Sequence, residues 1–238
     1  MNASAIKRSL RKVPLLGPAA RQASISLQRR RFPGSAQYWQ RHYAAGGTSG
    51  NGSAGRLAEF KAEILNDLVQ RNRIRSVVEF GCGDGQQLAL ASYPRYLGLD
   101  VAPAILDGTM ARFSADPTKS FLRYDPHRFV DPAGFVTAEL ALSLDVIYHL
   151  VEDDTYALHL RHVFGAASRM VVLFTSDADT LTLRERTAPH VRHRSVVADI
   201  RARLPHWTLV DRIPNRFPYQ GSGTETSFAD FFVYQRVD

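Results

Sequence analysis

The sequence predicts an α/β protein built on a doubly wound, mostly parallel, seven-stranded sheet that ends in an antiparallel hairpin. Three observations predict it. Short apolar runs alternate with helical stretches along most of the 238 residues, the pattern of strand–helix–strand units. The first run closes on glycines at alternate positions, as where a strand turns at a ligand site. The last two runs follow one another without a helix between them, which suits an antiparallel edge.

In chain order, Tyr38, Trp39 and Tyr43 mark an aromatic-bearing helix, and the stretch 46–55, with five glycines, excludes regular structure. From about Arg56 the spacing of Leu57, Phe60, Ile64, Leu65 and Leu68 predicts a helix to about Arg71. "RSVVEFG" is the first strand and "GQQLALASY" a short helix. "RYLGLDV" is the second strand, followed by the helix "PAILDGTMARF", and "KSFLRYD" is the third strand. "AELALSLDVIY" is the fourth, with "EDDTYALHLRHVFGAAS" its helix, and "RMVVLFTS" the fifth. A helix over 195–204 then precedes the strands "WTLVDRIPNRF" and "SFADFFVYQRV".

Composition narrows the function classes. With 45% apolar residues the chain is large enough for one well-buried core. No apolar run reaches the roughly 18 residues of a membrane span. The one cysteine, Cys82, excludes an intramolecular disulfide and suits a reducing, cytoplasmic setting. The net charge of +7 belongs to the tail: residues 1–31 hold eight cations and no acid, leaving 22 cations against 23 acids in the rest. Nucleic-acid enzymes carry their positive field on the domain that does the chemistry, so this balance argues against a nucleic-acid substrate. Pro14, Gly17 and Pro18 interrupt any secretory apolar core. The tail is expected either to be a solvated extension or to touch an anionic membrane surface or a partner peripherally.

"VVEFGCGDG" carries the chemistry. Gly81, Gly83 and Gly85 allow close backbone approach. A dinucleotide fingerprint needs glycine where Gln86 stands, and the Gly-Lys-Ser/Thr ending of a phosphate loop is absent. Glu79 and Asp84 flank the turn, repelling pyrophosphate and attracting an ammonium or sulfonium. S-adenosylmethionine is such a ligand, and Asp100, ending the second strand, is placed to accept bonds from its ribose hydroxyls.

"VVEFGCGDG" followed by "YLGLDV" resembles the first two motifs of class I S-adenosylmethionine-dependent methyltransferases, from about Trp39 to the C-terminus. The resemblance implies a Rossmann-like seven-stranded sheet with its last strand antiparallel. It also implies that Glu79, Gly81 and Gly83 hold the methionine moiety, Asp100 the ribose and Asp125 the adenine amino group. "GGTSGNGSAG" resembles a lid in a bacterial subgroup, which with Tyr43 would close over the cofactor and exclude water. The implied organisation is a basic extension (1–35), helices and lid (36–72) and a cofactor-binding catalytic domain (73–238).

Methyl transfer to a hydroxyl needs alignment and a base. The fourth strand ends "SLDVIYHLVEDD"; His149 is the expected base, Asp145 an orienting group and Tyr148 a wall. Glu152, Asp153 and Asp154 are expected to cap the next helix, and no closed metal-ligand pattern is present. The long segment after the fifth strand carries His190, Arg192 and His193, cations suited to gripping a carboxylate, phosphate or acidic sugar. The expected activity is O-methylation of a sugar, glycan or other small hydroxylated molecule. The rival readings are an RNA or other nucleic-acid methyltransferase, and a partner subunit that binds the cofactor without turnover.

Overall fold

The computed structural model describes residues 32–179, 188–220 and 225–237; the basic tail 1–31 lies outside them. From Gly34 onward the chain is one compact unit, and of the segment before it only Phe32 and Pro33 are described.

Helices α1 (Ser35–Ala44) and α2 (Gly55–Arg71) precede the sheet, separated by the glycine-rich segment with one 3-10 turn at Asn51–Ser53. Then follow β1 (Val77–Phe80), β2 (Tyr96–Asp100), α3 (Pro103–Arg112), β3 (Lys119–Arg123) and β4 (Ala138–Leu144). The chain closes with α4 (Asp153–Gly165), β5 (Ala167–Thr175), α5 (Val196–Arg203), β6 (Trp207–Ile213) and β7 (Asp230–Arg236). The sheet order is β3-β2-β1-β4-β5-β7-β6; the first five strands pair in parallel, and β7 pairs antiparallel with both β5 and β6. The expected seven-stranded sheet and its antiparallel hairpin are both present.

Alternation along the strands divides the core. Leu140, Leu142 and Leu144 of β4 and Met170, Val172 and Phe174 of β5 face the layer containing Phe60, Leu65 and Leu68 of α2. Ala141, Val171 and Leu173 face the layer of Tyr156, Leu160, Val163 and Phe164 from α4 and Val196 and Ile200 from α5.

Three local expectations change. The helix expected over 85–93 is a single 3-10 turn at Leu88–Leu90, because Gly85 at φ +70° and Pro94 leave no room for a second turn. β4 stops at Leu144 rather than reaching Tyr148, since Asp145 adopts φ +59° and ends the ladder. β6 stops before Pro214, which has no N–H to give the sheet.

Candidate functional site

The strand order reverses between β1 and β4, and the carboxyl ends of β1, β2 and β4 meet there in a cavity of about 550 Å³. That is the place and the size expected of a small-ligand site in an open α/β sheet. The segment running through α1 to Ser53 forms its opposite wall.

The glycine turn after β1 is not an anion cradle. Gly81, Gly83 and Gly85 have φ of +91°, +56° and +70°, so each position favours glycine on backbone grounds. The N–H groups of Gly81 and Cys82 both donate to the Leu99 carbonyl (2.7 and 3.1 Å). Gly83 N–H donates to Asp100 Oδ2 (3.0 Å), Asp84 N–H to Ser49 Oγ (3.0 Å) and Gln86 N–H to Asp84 Oδ1 (3.1 Å). Those donors are directed within the protein, and a phosphate placed here would meet carboxylates instead.

Three carboxylates and one ammonium line the cavity. Glu79 accepts from the Tyr96 hydroxyl (2.6 Å), and burial raises its pKa to about 7. Asp100 accepts from Gly83 N–H and Ala102 N–H (both 3.0 Å); burial raises its pKa as well, against the pull of those bonds. Asp145 is held in its left-handed conformation from two sides, by the Lys61 ammonium (2.7 Å) and by the Tyr148 hydroxyl (2.7 Å). Lys61, from α2, is itself 1% exposed. Gln87 completes this side: its amide donates to the Ala58 carbonyl (3.1 Å), while its buried Oε1 has no partner among the described residues.

The glycine-rich segment is clipped across the turn. Ser49 N–H donates to Asp84 Oδ2 (2.9 Å), Asp84 N–H donates back to Ser49 Oγ, and the Tyr43 hydroxyl meets Ser49 Oγ at 3.1 Å. A Cβ on Gly83 would lie 2.2 Å from Ser49 Oγ, and one on Gly52 would lie 2.9 Å from Asp145 Oδ2, so both glycines permit this closure. At the start of α1, Ser35 N–H and Oγ donate to the two Glu152 oxygens (2.8 and 2.6 Å). A carboxylate there also complements the helix dipole.

On the β4 side the wall is aromatic. His149 Nδ1 lies 3.0 Å from the His190 carbonyl; only a donor fits that acceptor, so Nε2 carries the lone pair. Burial lowers the His149 pKa to about 4 and lowers that of His190 too, which keeps both rings uncharged at neutral pH. His190 stacks on Tyr38 at 4.5 Å and on His149 at 5.4 Å, and Trp39 meets His149 edge-on at 4.9 Å.

Of the residues singled out from sequence, Tyr43, Glu79, Gly81, Asp100, Asp145, Tyr148, His149 and His190 line the cavity. Five do not. Gly83 supplies a backbone bond to Asp100 behind the surface, and Asp84 clips Ser49 in place of facing a ligand. Asp125 caps the turn after β3, accepting from His127 N–H (3.0 Å) and pairing with Arg128 at 3.7 Å. Arg192 pairs with Asp153 (3.1 Å), and His193 bonds Ser176 Oγ (2.6 Å) against Phe228. The anion grip expected of that segment is therefore turned to internal partners. Glu152 is the N-cap residue of α4, as expected, but its carboxylate bonds Ser35 of α1 and not the first turn of α4. Sequence reasoning overlooked Lys61 and Gln87, yet the signal for Lys61 was present: it lies four residues from both Leu57 and Leu65, inside the apolar stripe of α2.

No model of a known protein family matches the chain, and no curated protein matches it by sequence. Solved structures do. The N-methyltransferase NodS from Bradyrhizobium japonicum WM9 superposes with a TM-score of 0.58 at 16% identity, over 77% of this chain and 98% of that one. Magnesium protoporphyrin IX methyltransferase from Synechocystis PCC 6803, with bound SAM, gives 0.53 at 16%, over 89% and 96%. The methyltransferase domain of bacterial CtHen1 gives 0.57 at 15%, over 75% and 97%. Likeness at these identities shows a shared fold.

Proposed function

We propose that the chain is an S-adenosylmethionine-dependent methyltransferase that transfers a methyl group to the hydroxyl of a small acceptor, a sugar or glycan unit among the candidates. The single observation that carries the reading is the charge set of the cavity: Glu79, Asp100 and Asp145 against one ammonium, Lys61, beside a turn whose N–H groups are directed inward. A nucleotide phosphate finds little complement there. A ligand bearing an ammonium, a carboxylate, a sulfonium and a ribose diol fits, and the unpartnered Gln87 Oε1 is one more acceptor for its donors.

Glu79 would take the amino group, Lys61 the carboxylate and Asp100 the ribose hydroxyls. S-adenosylmethionine supplies an electrophilic methyl on a sulfonium. The protein's part is alignment, exclusion of water and proton acceptance. In this reading the Ser49–Asp84 and Ser35–Glu152 bonds hold the segment from α1 to Ser53 against the cavity, and His149 Nε2 offers a lone pair to take the acceptor's proton.

Calorimetric titration with S-adenosylmethionine tests the reading. Saturable heat is expected with wild type, and its absence removes the proposal. Because Glu79 ionises near pH 7, affinity should be about fivefold weaker at pH 6 than at pH 7, as the fraction of carboxylate falls. Glu79→Gln should bind more weakly and lose that pH dependence. A pH profile identical to that of wild type would assign the ammonium to another group.

A further inference from the structure

The β2 and β1 ends lie on one side of the cavity, with Glu79 and Asp100, and the β4 side carries the ring wall of Tyr38, Trp39, Tyr148, His149, His190 and Phe228. Two polar atoms of that wall are engaged within the protein. The Tyr148 hydroxyl donates to Asp145, and His149 Nδ1 donates to the His190 carbonyl. His149 Nε2, the ring nitrogens of His190 and Trp39 Nε1 have no hydrogen-bond partner among the described residues. The one ammonium lining the cavity is paired with Asp145, and Arg192 and His193 are turned away.

A pyranose buried against such a wall would bring several hydroxyls, each needing a partner, to a surface whose unpartnered acceptors among the described residues are one nitrogen on each of two neutral imidazoles, His149 and His190. An anionic acceptor would meet Asp145 with no free cation among the described residues lining the cavity to offset it. A flat aromatic ring gains offset or edge contacts with the wall and needs one acceptor for one hydroxyl. We infer that the acceptor subsite selects an uncharged phenolic ring, stacked among Tyr38, Trp39 and His190, with its hydroxyl donating to His149 Nε2. This rests on the methyltransferase reading above and narrows its substrate class.

The acidity of the acceptor agrees. A phenol has a pKa of about 10. Transfer of its proton to an imidazole at about 4 is therefore far less uphill than transfer from an alcohol. An alcohol of water-like acidity, about 15.7, lies nearly six powers of ten further away. In the transfer step the phenolic oxygen forms the new O–CH3 bond while the S–CH3 bond breaks and its electron pair stays on sulfur. The hydroxyl proton passes to Nε2 and then to solvent.

Two tryptophans are present, Trp39 in the wall and Trp207 on β6. Trp207→Phe therefore leaves Trp39 as a reporter of the subsite that does not depend on turnover. para-Cresol should quench its emission saturably, and methyl β-glucopyranoside and 4-hydroxybenzoate should bind at least about tenfold more weakly. With labelled S-adenosylmethionine, label should pass to para-cresol, and His149→Phe should lower kcat by at least about 100-fold. Equal or tighter quenching by the glycoside or the benzoate, preferential labelling of either, or an undiminished kcat in His149→Phe overturns the inference. Failure of the cofactor to bind in calorimetry counts against the methyltransferase reading alone, since the quench measures ring selectivity without it.

Discussion

Lys61→Met is expected to lower the folding free energy by about 3–5 kcal/mol and to weaken S-adenosylmethionine binding by at least 100-fold, by removing half of a buried ion pair. The side chains of Lys61 and Asp145 are 1% and 12% exposed, with Nζ and Oδ2 2.7 Å apart. Methionine fills the lysine's volume but leaves the Asp145 carboxylate in a site with no other cation among the described residues lining it. The Tyr148 hydroxyl alone is a weak replacement, because a neutral donor offsets only part of the cost of burying a charge. At about 2–4 °C per kcal/mol for a chain of this size, the melting temperature should fall by about 6–20 °C. The double variant Lys61→Met with Asp145→Asn separates the two consequences. It removes the orphaned charge, so most of the stability should return, while cofactor affinity stays low because the ammonium is still missing. Affinity restored along with stability would mean that Lys61 holds Asp145 and takes no part in binding.

The fold was readable because its signals are local. Apolar runs such as "RMVVLFT" and "DFFVYQR" are buried on both faces at the centre of the sheet, and the strands they predict lie within a few residues of β5 and β7. The helix expected after the glycine turn was misread because "GQQLALASY" has helical composition, while the short path from β1 to β2 accommodates only one 3-10 turn. The site was readable where a residue ends a strand. Glu79, Gly81, Asp100 and Asp145 sit at the carboxyl ends of β1, β2 and β4, and the sheet order alone brings them together. It was not readable where direction is set by tertiary partners. Asp84 lies five residues after Glu79, yet the folding back of Ser49, 35 residues away in the chain, turns its carboxylate to the cover segment. Arg192 and His193 belong to a polar segment whose orientation is fixed by Asp153 and Ser176, and no spacing rule announces such pairings.

Acid should destabilise the unliganded protein steeply, and two histidines set the direction. His149 and His159 have pKa values lowered by burial to about 4 and about 3, against 6.5 for the free side chain. His159 is buried with Ser143 Oγ at 2.8 Å. Between those values and 6.5 the unfolded chain binds the protons that the native state refuses. Stability from these groups is thus complete above pH 6.5 and is lost as pH falls; together they amount to about 8 kcal/mol at most. Glu79 acts with the opposite sign. Its folded pKa of about 7 exceeds the ordinary 4.5, so its contribution is complete below 4.5 and is lost as pH rises through 7, a term of about 3 kcal/mol. From pH 6.5 to 4.5 these three groups leave the unfolded state a net excess of about one proton, and stability falls by at least about 1.4 kcal/mol per pH unit, because half-buried His162, whose pKa burial also lowers to about 4, adds to the fall. Below 4.5 the Glu79 term no longer changes and the slope steepens by one further proton. The three groups together remove about 4 kcal/mol between pH 6.5 and 4, a large share of the about 5–15 kcal/mol folding free energy of a domain. Urea midpoints at a series of pH values measure this directly: wild type should be most stable near pH 6.5. Glu79→Gln, lacking the opposing term, should already show the steeper slope between 6.5 and 4.5. A wild-type midpoint that stays level or rises as pH falls through that window would mean that His149 and His159 accept protons in the folded state, and Nε2 of His149 would then not be the free base on which the proposed chemistry depends.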